Sequence, residues 1–204
     1  MVDKDKIQKT LKYYFAYHGT VEIDNDGLVS CTGDVQFLGG RKKLPVRFGK
    51  VEGSFQVQQR KLTTLSGAPH TVGQRFICWG NQITSFEGAP VKVGAEVYAR
   101  DCNLINLTHA PECTELRVQD NPLTSLTGMP DNLKVIGLTW HEDLPLLQSL
   151  KADEVTLYAK EGLDNQQALT CYKILSKYAG QGRPGAIRAA AELVKADLKG
   201  NARW

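Results

Sequence analysis

The chain has 204 residues, 42% of them hydrophobic and 23% charged, the make-up of a soluble globular protein long enough for one large domain or two small ones. A formal charge of +3 does not announce a nucleic-acid binder. No apolar run of about 18 residues offers a membrane span, and the charged opening MVDKDKIQKT lacks the apolar core of a secretory signal.

Residues 3–16 predict an amphipathic helix, with Asp3 placed to cap it and Ile7, Leu11, Tyr14 and Phe15 on one side. TVEIDNDGLVSCTGDVQFL then reads as a hairpin turning at Asp26-Gly27. Next come the octets LTTLSGAP (Leu62–Pro69), ITSFEGAP (Ile83–Pro90) and LTSLTGMP (Leu123–Pro130), with a diverged copy, LINLTHAP, between the last two. Their prolines, Pro69, Pro90, Pro111 and Pro130, step by 21, 21 and 19 residues, and so do Leu62, Ile83, Leu104 and Leu123. A fixed period of this length marks a solenoid.

Between octets, short segments alternate apolar and polar residues, as half-buried strands do. The paired inner positions read as Phe55/Val57, Phe76/Cys78, Val97/Ala99, Leu116/Val118 and Val135/Gly137, with fainter rungs at Val35/Phe37 and Val155/Leu157. One such unit cannot bury its apolar side alone, whereas stacked copies share a continuous core. The octets are then the return arms. Gly67, Gly88 and Gly128 supply permissive turns, and Asn81 and Asn121 form a partial asparagine ladder interrupted at Arg60 and Cys102.

Beyond the stack, Asp164 with Gln167 suggests a capping box opening a helix to about Tyr178. AGQGRPG breaks that helix, and Pro184 suits the first turn of another. Ile187, Ala190, Ala191, Val194 and Leu198 read as its buried stripe, and Gly200 as its end. Segment 164–204 carries seven Lys/Arg against three Asp/Glu, a net +4.

Strand, asparagine, LTSL and proline at this spacing resemble the leucine-rich repeat, and Pro111–Leu133 is similar to the short repeats of bacterial effector proteins. The run containing FICWGNQITSFEGAPVKVG resembles more closely a group of tailed-bacteriophage proteins with LTSLEGAP–VGG–FxC–N repeats. Those tend to close in a helical segment near GNARW, as Gly200–Trp204 does here. The resemblance covers about Leu44 to Trp204. It implies an architecture and an infected bacterial cell as the setting, and it brings no activity. The expected fold is an α/β solenoid, a right-handed, leucine-rich-repeat-like stack of short parallel strands. It has a helix-and-hairpin cap over 1–40, the solenoid over 41–160 and a two-helix cap over 161–204.

In each strand the residue between the inner pair, and the one after it, faces outward. This builds one face from Gln56/Gln58, Ile77/Trp79, Tyr98/Arg100, Arg117/Gln119 and Ile136/Leu138. With strands about 4.8 Å apart, Ile77, Trp79, Tyr98, Arg100, Arg117 and Gln119 form a patch rich in the residue types of interface hot spots. It reads as a protein-binding surface. The expected function is non-catalytic binding of a host protein, such as a defence or transcription factor, in the cytoplasm. The alternatives are nucleic-acid binding through a basic edge of Arg41, Lys42, Lys43, Arg60 and Lys61 with the basic tail, or self-association as a structural or virion protein. Five cysteines at 31, 78, 102, 113 and 171 include no CxxC. They point to a reduced compartment and core packing rather than zinc at Cys78, Cys102 and Cys113. His18, His70, His109 and His141 fall in different phases of the repeat. No catalytic motif occurs, so no catalytic residue, metal or cofactor is assigned.

Overall fold

A computed structural model describes residues 2–159 and 165–204 of the chain. Asp3 accepts a hydrogen bond from the Lys6 N–H at 2.9 Å and opens helix α1, Lys4–Tyr14, which buries Leu11. The chain passes directly into β1, Phe15–Tyr17. A hairpin follows, β2 (Val21–Ile23) against β3 (Leu28–Cys31), closed where the Asp24 carboxylate accepts from the N–H groups of Asp26 and Leu28.

From there the chain winds. β4 (Val35–Phe37), β6 (Phe55–Gln56), β8 (Phe76–Ile77), β10 (Glu96–Tyr98), β11 (Glu115–Arg117), β12 (Val135–Trp140) and β13 (Glu154–Ala159) stack in parallel, and β1 pairs antiparallel with β4 at the first edge. The stack therefore begins inside the segment expected to be cap. A second sheet, unforeseen in the sequence, follows the proline corners. Its order is β2-β3-β5-β7-β9, with β5 at Arg47–Val51, β7 at Thr71–Val72 and β9 at Lys92–Val93. The protein is thus a β-solenoid of about seven turns with helical ends.

The inner residues of both sheets and the octet arms make one core. Phe55, Val57, Leu62, Leu65 and Val72 line one turn; Phe76, Cys78, Ile83, Phe86 and Val93 line the next. At the N-terminal end, Phe15, Phe48, Phe55 and Phe76 pass from ring to ring at 5.0–6.3 Å. Asn81 staples its turn to the one before. It accepts from the N–H groups of Arg60 and Leu62 and donates to the carbonyls of Val57 and Cys78. Asn121 repeats the pattern with Leu104, Ala99 and Val118. Between them the Cys102 thiol lies 3.5 Å from the Cys78 carbonyl.

The rung after Leu116 departs from the expected register. Leu116 pairs with Ile136, not Val135, so Ile136 and Leu138 point inward and are fully buried, while Val135 and Gly137 belong to the outer face. The octet step of 19 does not carry into the strand, because Ile136 comes six positions after Pro130 where Leu116 comes five after Pro111.

The C-terminal end is closed by the 3-10 turn Leu147–Lys151, by α2 (Asn165–Tyr178) and by α3 (Gly182–Lys195). Asp164 and its capping box lie outside the described residues. Of the stripe expected on α3, Leu198 is buried, just past the helix end, but within the helix the stripe is displaced by one residue: Ala186, Ala189 and Leu193 are buried, whereas Ile187 is 64% and Val194 49% exposed. Six residues running AIRAAA place apolar groups on two adjacent stripes, and the smaller one packs closer. The helix stops at Lys195, before Gly200. Beyond it the tail folds back over the stack. Asn201, wholly buried, donates to the carbonyls of His141 and Leu144 and accepts from the Trp140 indole N–H at 3.0 Å.

Two stability predictions follow from these positions. Gly67, Gly88 and Gly128 turn the octets with φ of +96°, +78° and +87°, and His109 holds the equivalent place at +64°. A β-carbon is disfavoured in that conformation, so His109→Gly should raise the unfolding free energy by about 1 kcal/mol or less, read as a higher urea midpoint. Asn201→Ala strands the Leu144 carbonyl and the Trp140 N–H, and leaves the His141 carbonyl only the Leu144 N–H. Urea unfolding should show a loss of roughly 3 kcal/mol or more, with tryptophan emission shifted to the red.

Candidate functional site

Backbone pairing sets the outer face of the larger sheet into columns. Ile77, Tyr98, Arg117, Gly137 and Thr156 stand in register. Two residues further along each turn come Trp79, Arg100, Gln119, Thr139 and Tyr158. The ladder is continued there by Gly80 N–H to the Arg100 carbonyl and Asp101 N–H to the Gln119 carbonyl. Immediately afterwards the backbone takes a left-handed turn, at Gly80 (φ +68°), Asp101 (+50°) and Asp120 (+58°). Trp79, Arg100 and Gln119 are therefore the last side chains on the face before the chain leaves it.

All six residues expected to form the patch, Ile77, Trp79, Tyr98, Arg100, Arg117 and Gln119, line one open groove of about 450 Å³, together with Arg75 and Tyr158. The pair Ile136/Leu138 does not join them, and Gly137 takes that place on the face. A β-carbon at Gly137 would stand 2.6 Å from Gln119 Nε2 and 3.5 Å from Arg117 Cδ. The missing side chain is what lets Gln119 and Arg117 lean over the next rung.

A third column, one residue before each inner pair, contributes charge. Glu96 accepts from Arg75 at 3.0 Å and from the Tyr98 hydroxyl at 2.7 Å, and Glu115 pairs with Arg117 at 3.0 Å. The hydrogen bond to Glu96, with burial adding to it, pushes the Tyr98 hydroxyl above the usual tyrosine range. Arg100 makes no ion pair among the described residues; its guanidinium lies over the Trp79 ring, 5.3 Å from the centroid. Gln119 is 8% exposed and its Oε1 accepts no hydrogen bond. Arg75, Glu96 and Glu115 occupy a column that the outward pairs of the sequence pattern leave out, and Tyr158 follows from the Val155/Leu157 rung.

The basic edge is less uniform. Arg41 stacks on Tyr14, 4.3 Å from its centroid, and donates to the Tyr14 hydroxyl. Arg60 is half-buried and reaches the Leu38 carbonyl. Lys42, Lys43 and Lys61 are exposed. The five cysteines are free thiols in the core. Among the described residues no three His, Cys, Asp or Glu side chains gather where a metal ion could be held, and no helix is long and apolar enough to cross a membrane. No family model, curated protein or solved structure matches the chain.

Burial pushes the Cys102 thiol up to about 11 and Cys113 and Cys171 up to about 12. The fold therefore favours the protonated thiol. Its contribution to stability is complete below about pH 9, where unfolded thiols stay protonated, and declines as pH rises towards 11–12. A disulfide-exchange thiol reagent at pH 8 should label the native protein only as fast as it unfolds, and all five cysteines at once in denaturant.

Proposed function

We propose that the protein is a non-catalytic binding module that grips another protein in the groove of its larger sheet. The observation that carries this reading is the convergence of Trp79, Tyr98, Arg100, Arg117, Ile77 and Gln119 on one concavity. Tryptophan, tyrosine and arginine are the side chains that dominate interface energetics, and here none of them is taken up by the core. Repeat solenoids offer such faces because their columns repeat without contributing to the interior. The repeat's resemblance to tailed-bacteriophage proteins supports a bacterial host protein as the ligand, and a cytoplasmic role in altering that host protein's activity.

The test is affinity purification from bacterial host lysate with the wild-type chain and with a Trp79→Ala/Tyr98→Ala/Arg100→Ala variant of unchanged circular dichroism. The three side chains lie outside the core, so the variant should fold. One host protein held by wild type and lost by the variant, by a factor of about a hundred in affinity, is the expected result. Equal recovery by both would move the site away from the groove. Recovery of nucleic acid alone, or of the chain's own copies alone, would overturn the reading.

A further inference from the structure

The two ends of the larger sheet are closed differently. At the first, β1 lies antiparallel on β4. At the last, β13 pairs with β12 alone. Successive residues of a strand turn their backbone groups to opposite sides. The Glu154 N–H donates to the Lys134 carbonyl at 2.8 Å, so Glu154, Thr156 and Tyr158 bond to β12, and the N–H and C=O groups of Leu157 and Ala159 face away from it. Just before the strand, the Ala152 carbonyl accepts from the Gly180 N–H at 2.9 Å, in the turn between α2 and α3. Nothing among the described residues does the same for Leu157 or Ala159. An open row of this kind is a template for another strand. Beside it runs a slot of about 430 Å³, with Leu157, Tyr158 and Ala159 on one wall and Ala168, Leu169 and Tyr172 of α2 on the other. Tyr158, Leu169 and Tyr172 are large, apolar and exposed.

We propose that this slot takes an extended segment of another protein, which adds to the larger sheet as its next strand. The open backbone groups select the occupant. A peptide backbone repeats both complementary groups at the spacing of a strand. Nucleic acid, glycan and lipid carry no such repeat, and a helix has used its own backbone groups internally. α2 walls the far side, so the slot admits a lone strand and not the edge of another copy's sheet. Alternate side chains of the segment fall on α2 and beside Tyr158, which also lines the groove. This rests on the reading of the molecule as a protein-binding module, but it needs no contact with Trp79 or Arg100.

The test is ribosome display of a random linear-peptide library on the immobilised full chain, with enriched peptides then measured by fluorescence anisotropy. Ala159→Pro removes an outward N–H and sets a ring in the slot, while Tyr158 keeps its bond to β12, so the fold should survive. Circular dichroism checks this. The variant should weaken the peptides on the order of tenfold or more, whereas the Trp79→Ala/Tyr98→Ala/Arg100→Ala variant should still bind them. N-methylation along a peptide should weaken binding at every second residue only. Two further readouts use the wild-type chain and hold even if Ala159→Pro misfolds. By NMR, the free protein should exchange the Leu157 and Ala159 amides fast and those of Thr156 and Tyr158 slowly. Bound peptide should slow the first pair.

Peptides lost with the groove variant but indifferent to Ala159→Pro would sink the proposal and leave the groove standing. N-methylation without alternation, or no slowing at Leu157 and Ala159, would overturn it as well. Dimers of the chain that Ala159→Pro abolishes would give the edge to a second copy instead. Failure to enrich any peptide would refute strand addition, while the lysate experiment with the groove variant separately decides the groove.

Discussion

Every feature of this molecule depends on hydrogen bonding between one turn of backbone and the next. A parallel ladder fixes which residue lies over which, so a change of one residue between turns would exchange the buried and exposed faces of everything downstream. The corner asparagines enforce that registration from inside. Each satisfies backbone groups of its own turn and of the one before, where the chain bends too sharply for the ladder to do so. The columns of the outer face follow directly. Trp79, Arg100 and Gln119 are neighbours because their inner partners Cys78, Ala99 and Val118 are stacked, and no force between the outer residues themselves is required.

The groove combines fixed and open chemistry on that scaffold. Two of its arginines are held by glutamates of the same sheet, which sets their orientation and discharges them. The third is oriented by an aromatic ring, a contact that holds a guanidinium in place without neutralising it. Gly137 leaves the room into which Gln119 and Arg117 lean. The result is a largely pre-formed surface, and for the binding role proposed above that is the condition under which contact area converts best into affinity.

Much of this was legible in the sequence, because period and alternation depend on the same stacking that builds the structure. The octets, the inner pairs up to Val118, the corner asparagines and the six groove residues could all be read from spacing alone. Where the reading slipped, two signals competed. The octets set a step of 19, but the extra residue after Pro130 makes this strand step 20, turning Ile136 and Leu138 inward. On α3 two apolar stripes lie side by side, and hydrophobicity does not rank them; the closer approach allowed by alanine does. Of the second sheet, β2 and β3 were legible only as a hairpin, and β7 and β9, two residues each, are too short for alternation to register. Asn201 escaped for a different reason. It does at long range what Asn81 does locally, and nothing in its neighbourhood belongs to the repeat.

That displaced asparagine has a consequence for how the chain is made. A solenoid can grow turn by turn behind the ribosome, each new strand docking on the finished one. Here the last turn lacks partners for its Trp140 indole and Leu144 carbonyl until a residue some sixty positions later arrives to supply them. Sealing that turn therefore waits for the tail to be made. A nascent chain halted after α3 would present a raw, unsealed rung to its surroundings, the state most open to proteases and to chaperones.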